Sequence, residues 1–358
     1  MSIAARFEIE FRRVIDRDGK LVAPLPPGFR DTDLIVRLYS AMTLTRAFDQ
    51  TAVALQRQGR IGTYASSLGQ EAVGVGVASA MRADDILLPS FRDHGAEFWR
   101  GVTLLESFLA WGGDERGNCI AGPREDFPPA IPIASHIPHA VGVAFAFKRR
   151  NEKRAAVCMF GDGATSKGDF YEAINAAGAW ELPAVFIVTN NQWAISLPRA
   201  RQTAAATLAQ KAIAAGITGE QVDGNDVVAV HDAVARALER AHAGQGASLI
   251  EAVTYRLSDH TTADDASRYR GAEPVRAAWQ EEPLVRLRRY LIDAGAWSKE
   301  DEKRLQAECA SKVEEAVNAY LAVAPQPAEA IFDYHFATLP HDLARQRASL
   351  TPQDADHG

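Results

Sequence analysis

Only three cysteines occur in 358 residues, Cys119, Cys158 and Cys309, and none stands in a Cys-x-x-Cys pair. Their spacing argues against a disulfide framework or a structural zinc site and fits a reducing compartment, the cytoplasm. Positive charge is also scarce: 39 Lys and Arg against 46 Asp and Glu give a formal net charge of -7. A nucleic-acid surface needs clustered cations, so no nucleic-acid partner is expected. No apolar run approaches the roughly 20 residues of a membrane span. The opening MSIAARFEIEFRRVIDRDGK is charged too early for a secretory signal. Nucleotide fingerprints are missing too: there is no G-x-x-x-x-G-K-[ST], and a G-x-G-x-x-G begun at Gly161 would need glycine where Ser166 stands.

What remains is an ordinary globular balance, 47% hydrophobic and 24% charged, with ample material for a core. Residues 1–30 read as an N-terminal arm with a short strand-like piece, a turn at Asp18-Gly19 and a Pro-rich stretch. Asp31 is a candidate N-cap for a long helix that runs to Gly59. Between residues 31 and 275, short apolar runs (AAVCMF, PAVFIVT, SLIEAVTYR) alternate with helical segments (DFYEAINAAGAWEL, VVAVHDAVARALERAHAG). Strands apolar on both faces, separated by amphipathic helices, predict an α/β fold: a mainly parallel sheet flanked by helices on both faces. Residues 276–325 read as C-terminal helices and 326–358 as a tail that wraps another surface or frays.

The stretch FGDGATSKGDF sets Asp162 between two glycines directly after a predicted strand. Ligands of parallel sheets gather at the carboxyl ends of strands. Gly161 and Gly163 are expected to permit a tight turn and the close approach of a bulky anion. A carboxylate repels phosphate directly but suits it once a divalent cation lies between them. Further hard oxygens appear after the next predicted strand, in FIVTNNQWAIS, where Asn191 and a nearby main-chain carbonyl join Asp162 as candidate magnesium ligands. Each motif alone would be a common turn; their pairing across one strand–helix–strand unit favours a metal–diphosphate site.

Gly161-Asp162-Gly163 followed by Asn190-Asn191 resembles the thiamine diphosphate-binding signature. Around it, RQGRIGTYASSLGQEA, LLPSFRDHG, IASHIPHAVGVAFA, QVDGNDVVAV and HTTADDASRYR resemble the alpha subunit of the decarboxylating dehydrogenase component of 2-oxo acid dehydrogenase complexes, over most of residues 35–290. The resemblance implies the thiamine diphosphate-binding fold, with Mg2+ held by Asp162, Asn191 and the carbonyl of Trp193. It implies diphosphate contacts at Gly161, Gly163 and Ala164, and main-chain contacts to the aminopyrimidine at Ile131 and Ile133. Phe91-Arg92 stands where the family has Tyr-Arg, so the guanidinium is kept and the phenolic hydrogen bond is not. For Arg92 the competing reading is an ion pair with Asp93 or Asp84. His260 matches the family's active-site histidine, on a loop that Asp264, Asp265, Tyr269 and Arg270 would order. Thr261 stands where some relatives carry a phosphorylatable serine. His136 and His139 lack a third ligand nearby and read as polar residues near a helix start.

The activating glutamate of the heterotetrameric family belongs to a beta subunit, so the chain reads as half an active site. Implied partners are that beta subunit in an alpha2beta2 heterotetramer, the lipoyl domain of the acyltransferase and a small 2-oxo acid. Pyruvate is favoured, branched-chain 2-oxo acids come second and acetoin cleavage third. A non-catalytic cofactor-binding regulatory subunit is the reading from a different class, and a transketolase-like enzyme is disfavoured.

Overall fold

The computed structural model describes residues 3–122 and 124–350. A six-stranded parallel sheet runs through it in the order β1-β7-β8-β4-β3-β2, with β1 Phe11–Arg12, β2 Ile86–Leu88, β3 Ala156–Gly161, β4 Ala184–Asn190, β7 Thr218–Asp223 and β8 Ser248–Val253. The short strands β5 Trp193–Ala194 and β6 Leu197–Pro198 pair antiparallel beside it. The alternation of side chains along a strand explains the layering. Val157 and Met159 of β3 enter one core with Val185 and Ile187 of β4, while Cys158, Phe160, Phe186 and Val188 enter the other.

Helices α1 Thr32–Arg57, α2 Glu71–Ala80, α8 Val227–His242 and α10 Pro283–Asp293 supply buried residues to the first core. Helices α5 His136–Arg150, α6 Gly168–Ala179 and α7 Lys211–Ala215 supply the second. The short helices α3 His94–Arg100 and α4 Leu104–Trp111 follow β2, and α9 Ala272–Trp279 precedes α10. The side chain of Asp31 accepts the Asp33 amide at 3.1 Å and starts α1, as its position before the apolar pattern predicts. Helix α11 Lys299–Leu321 opens with a Ser298–Asp301 capping box and buries Leu305, Cys309 and Val313, four residues apart, against α1 and α4.

The expected arm contributes to the sheet itself. β1 pairs with β7, Ile15 is fully buried, and the amides of Val14 and Ile15 each donate to Asp226 at 2.7 Å. Gly19 turns with φ 80°, where a Cβ would stand 2.6 Å from that of Arg289. The first core runs from Val14 to Cys309, across the expected boundaries at residues 30 and 275. A final helix, α12 His341–Ser349, buries no residue. No helix among the described residues is long and apolar enough to cross a membrane.

Candidate active site

β3 and β4 are neighbours in register, Gly161 opposite Thr189, so the residues following each strand meet above the carboxyl edge of the sheet. A cleft of about 300 Å³ opens there. Phe91, Arg92, Ile133, Gly161, Asp162, Gly163, Ala164, Asn191, Trp193 and His260 all line it. Ile131 does not. It follows the isolated parallel bridge of Ala130 with Ser90 and is 61% exposed.

The glycines work differently from the tight-turn expectation. Asp162–Ser166 is a 3-10 turn entered from Gly161 at φ -77°, and neither Gly161 nor Gly163 has a positive φ. A Cβ on Gly161 would meet nothing within 4 Å, whereas one on Gly163 would lie 2.7 Å from the Cβ of Ala194. Gly163 is therefore required by the close approach of β5. The left-handed backbone sits instead at Ala134, Gln192 and Ile195, non-glycine residues in the loops around the cleft. Such conformations cost of order 1–3 kcal/mol and persist where surrounding structure holds them.

Asp162 is 1% exposed, and burial pushes its carboxyl up to about 6. One oxygen accepts from Gln202 Nε2 at 2.6 Å. Asn191 donates its amide to Gln70 Oε1 at 2.9 Å, and its Oδ1 accepts from the Trp193 amide at 3.2 Å. One carboxylate, one amide oxygen and the Trp193 carbonyl form a set of hard oxygens suited to a magnesium-like cation. No group of three His, Cys, Asp or Glu among the described residues forms a metal cluster. His136, at the start of α5, donates from Nε2 to the Met159 carbonyl at 2.8 Å, and His139 is exposed and stacks on Phe127.

Near this oxygen set stand two buried guanidiniums, of which Arg256 donates to the Trp193 carbonyl at 3.4 Å. Arg92, 8% exposed, donates to the Ser66 carbonyl at 2.7 Å and contacts His260; it makes no ion pair with Asp93 or Asp84. Arg256, fully buried, donates to the Ile195 carbonyl at 2.8 Å and the Tyr269 hydroxyl at 2.9 Å. Neither meets a carboxylate within ion-pair distance among the described residues, and buried charges are ordinarily paired. Burial and the neighbouring Arg256 lower Arg92 to about 10. Buried atoms without hydrogen-bond partners accompany them: Gln70 Nε2, Thr189 Oγ1, His136 Nδ1 and Arg256 Nε. Unpaired cations and unsatisfied polar groups around one cleft fit a polar, anionic ligand.

His260 Nδ1 lies 2.9 Å from Arg92 Nη2 and 3.4 Å from Arg256 Nη1. Guanidinium groups only donate, so Nδ1 accepts and the neutral ring carries its proton on Nε2. Burial, then Arg92 and Arg256, lower this imidazole to about 4. Phe91 packs edge-on against the His260 ring with centroids 6.3 Å apart, and the guanidinium of Arg92 lies 5.3 Å from the Phe91 ring centre. Asp264 accepts the His260 amide at 2.9 Å and the Tyr269 hydroxyl, while Arg270 donates to the Ser258 carbonyl at 2.9 Å and to that of Arg256. Asp265 caps the short turn that follows.

Against known proteins, the model of the dehydrogenase E1 component family matches residues 39–327. The chain belongs to this family. It is 40% identical over 342 residues to the pyruvate dehydrogenase E1 component subunit alpha of Staphylococcus epidermidis, covering 95% of this chain and 92% of that one. The subunit of the same name from Staphylococcus aureus matches with the same identity and coverage. The E1 family is thiamine diphosphate-dependent, and the parallel sheet described above is consistent with its α/β fold.

Arg256, Gln70 and Gln202 escape a reading by motif. Arg256 carried a usable signal, a lone arginine at the carboxyl end of a predicted strand. Gln70 and Gln202 carry none, because each acts on a residue far away in sequence.

Proposed function

We propose that this chain is the alpha subunit of a pyruvate dehydrogenase E1 component, taking part in oxidative decarboxylation of pyruvate and reductive acetylation of a lipoyl group. The reading is carried by one arrangement: two buried arginines without carboxylate partners converge on His260 beside the cleft that holds the Asp162–Asn191–Trp193 oxygens, Arg256 itself reaching the Trp193 carbonyl at 3.4 Å. Asp162, Asn191 and the Trp193 carbonyl would hold Mg2+, and Arg92 and Arg256 would neutralise the diphosphate. Main chain at Gly161, Gly163, Ala164 and Ile133 would lie against the cofactor. Thiamine diphosphate supplies the nucleophilic carbon and the electron sink. His260, neutral with its proton on Nε2, would donate a hydrogen bond to the carboxylate or carbonyl of the 2-oxo acid and move a proton there.

A partner chain would supply the activating acid. The heterotetramer with a beta subunit, the lipoyl domain as acceptor and a cytoplasmic location complete the reading. The relatives' printed names favour pyruvate over branched-chain 2-oxo acids. The test is carbon dioxide release from pyruvate and from 2-oxoisovalerate, with Mg2+ and thiamine diphosphate, by the chain alone and co-expressed with its candidate beta partner. Turnover of pyruvate that requires both chains supports the reading. A folded complex that binds the cofactor and turns over neither acid would refute it and redirect attention to acetoin or to a regulatory role.

A further inference from the structure

Asp49 lies within α1, 2% exposed, with no cation bonded to it among the described residues. Its Oδ1 accepts the Tyr64 hydroxyl at 2.9 Å, the Ser67 amide at 2.6 Å and the Ser67 hydroxyl at 3.2 Å, and its Oδ2 accepts the Ser66 hydroxyl at 2.6 Å. A carboxylate this deep is tolerated only where donors replace its lost hydration. All four donors here come from one extended segment, residues 64–67.

The other side of that segment holds the candidate active site. The Ser66 carbonyl accepts from Arg92 at 2.7 Å, so one residue joins the carboxylate to the guanidinium. The His260 loop pairs with the same segment and its continuation. The Thr262 amide donates to the Tyr64 carbonyl at 2.9 Å, and the Tyr64 amide to Thr262 Oγ1 at 3.0 Å. Further back, the Thr254 hydroxyl donates to the Gly69 carbonyl at 2.8 Å. Residues 254 and 262, which bracket Arg256 and His260, are thus tied to a template whose own position is set by Asp49.

We propose that Asp49 is a positioning residue: through residues 64–67 it sets the place of Arg92 and orders the His260 loop, linking that loop to α1. The functional weight of this link rests on the reading above, but the structural link is testable without it. The full-length chain and its Asp49→Asn variant are compared by hydrogen–deuterium exchange, without cofactor and with magnesium pyrophosphate. Asparagine keeps the shape but sets an amide donor where an acceptor stood. Exchange is expected to quicken about tenfold in peptides covering 64–67 and 258–264, with peptides of β3 and β4 unchanged. Magnesium pyrophosphate should bind about tenfold more weakly.

Loosening of 64–67 with residues 258–264 unchanged would overturn the proposal, since the loop would then stand by itself. A uniform rise across all peptides would also overturn it, by making Asp49 a general determinant of folding. If Asp49→Asn is insoluble, Ser66→Ala and Tyr64→Phe, which remove two of the four bonds from the opposite side, carry the comparison. A folded complex of the wild-type chain with its beta partner that binds no thiamine diphosphate would sink the functional reading and leave the exchange result intact.

Discussion

The ionisation of His260 is the most direct probe of the charge arrangement in the cleft. Its imidazole is lowered from 6.5 to about 4 by burial first and then by Arg92 and Arg256. Two unit charges about 4 Å apart at an effective dielectric near 20 repel by about 4 kcal/mol, and about 1.4 kcal/mol corresponds to one pH unit. His260 is only partly buried, and water screens part of that field. Arg92→Gln is therefore expected to raise its pKa by about one to two pH units, still below 6.5 because burial and Arg256 remain. Magnesium pyrophosphate should raise it in the wild type as well, by offsetting both guanidiniums. The assay is proton–carbon NMR of ring-labelled histidine, with His260→Gln to assign the resonance. A wild-type resonance titrating near 6.5, or one left near 4 by Arg92→Gln, would refute the reasoning. The sign of the linkage follows. The unfolded imidazole gains its proton near 6.5 and the folded one only near 4, so stability from this group is lost as pH falls through that window.

Asp162→Asn should stabilise the chain without cofactor above pH 6, by about 2–3 kcal/mol, because the native carboxyl is held at about 6 against 3.8 and its charge is penalised there; urea denaturation at pH 8 measures this, and isothermal titration should find magnesium-dependent pyrophosphate binding abolished. The advantage should shrink as pH falls from 6 toward 3.8, where the wild-type carboxyl is protonated too. Gly163→Ala should cost about 1–3 kcal/mol through its clash with Ala194, while Gly161→Ala, with open space at its Cβ, should leave the urea midpoint nearly unchanged. Glu251 is fully buried and accepts from Asn190 at 2.6 Å, the Leu208 and Ala209 amides at 2.8 and 3.0 Å and Gln221 at 3.0 Å. Glu251→Ala leaves these donors unpaired and should destabilise by at least about 3 kcal/mol, at roughly 1–3 kcal/mol per group; a thermal melt within 1–2 °C of wild type would contradict that.

Local information in the sequence settled the periodic parts of this protein. The apolar runs at 156–161 and 184–190, the caps at Asp31 and Ser298, and the placing of Asp162 and Asn191 after neighbouring strands all follow from short-range chemistry. Motif spacing was enough to bring Asp162 and Asn191 to one cleft in expectation, because a strand–helix–strand crossover leaves little freedom in where its loops meet, whereas Arg92 and His260 were expected there only through the family resemblance. Tertiary structure decided the rest. It drew residues 11–15 into the sheet, since a two-residue strand has no periodicity to read and gains its stability from β7 and Asp226. It turned Ile131 outward and gave Gly163 its reason in Ala194, 31 positions away. It set Arg256 without a carboxylate beside Arg92. Charge balance, burial and unsatisfied hydrogen bonds depend on which distant residues become neighbours, and that is fixed only when the whole chain packs.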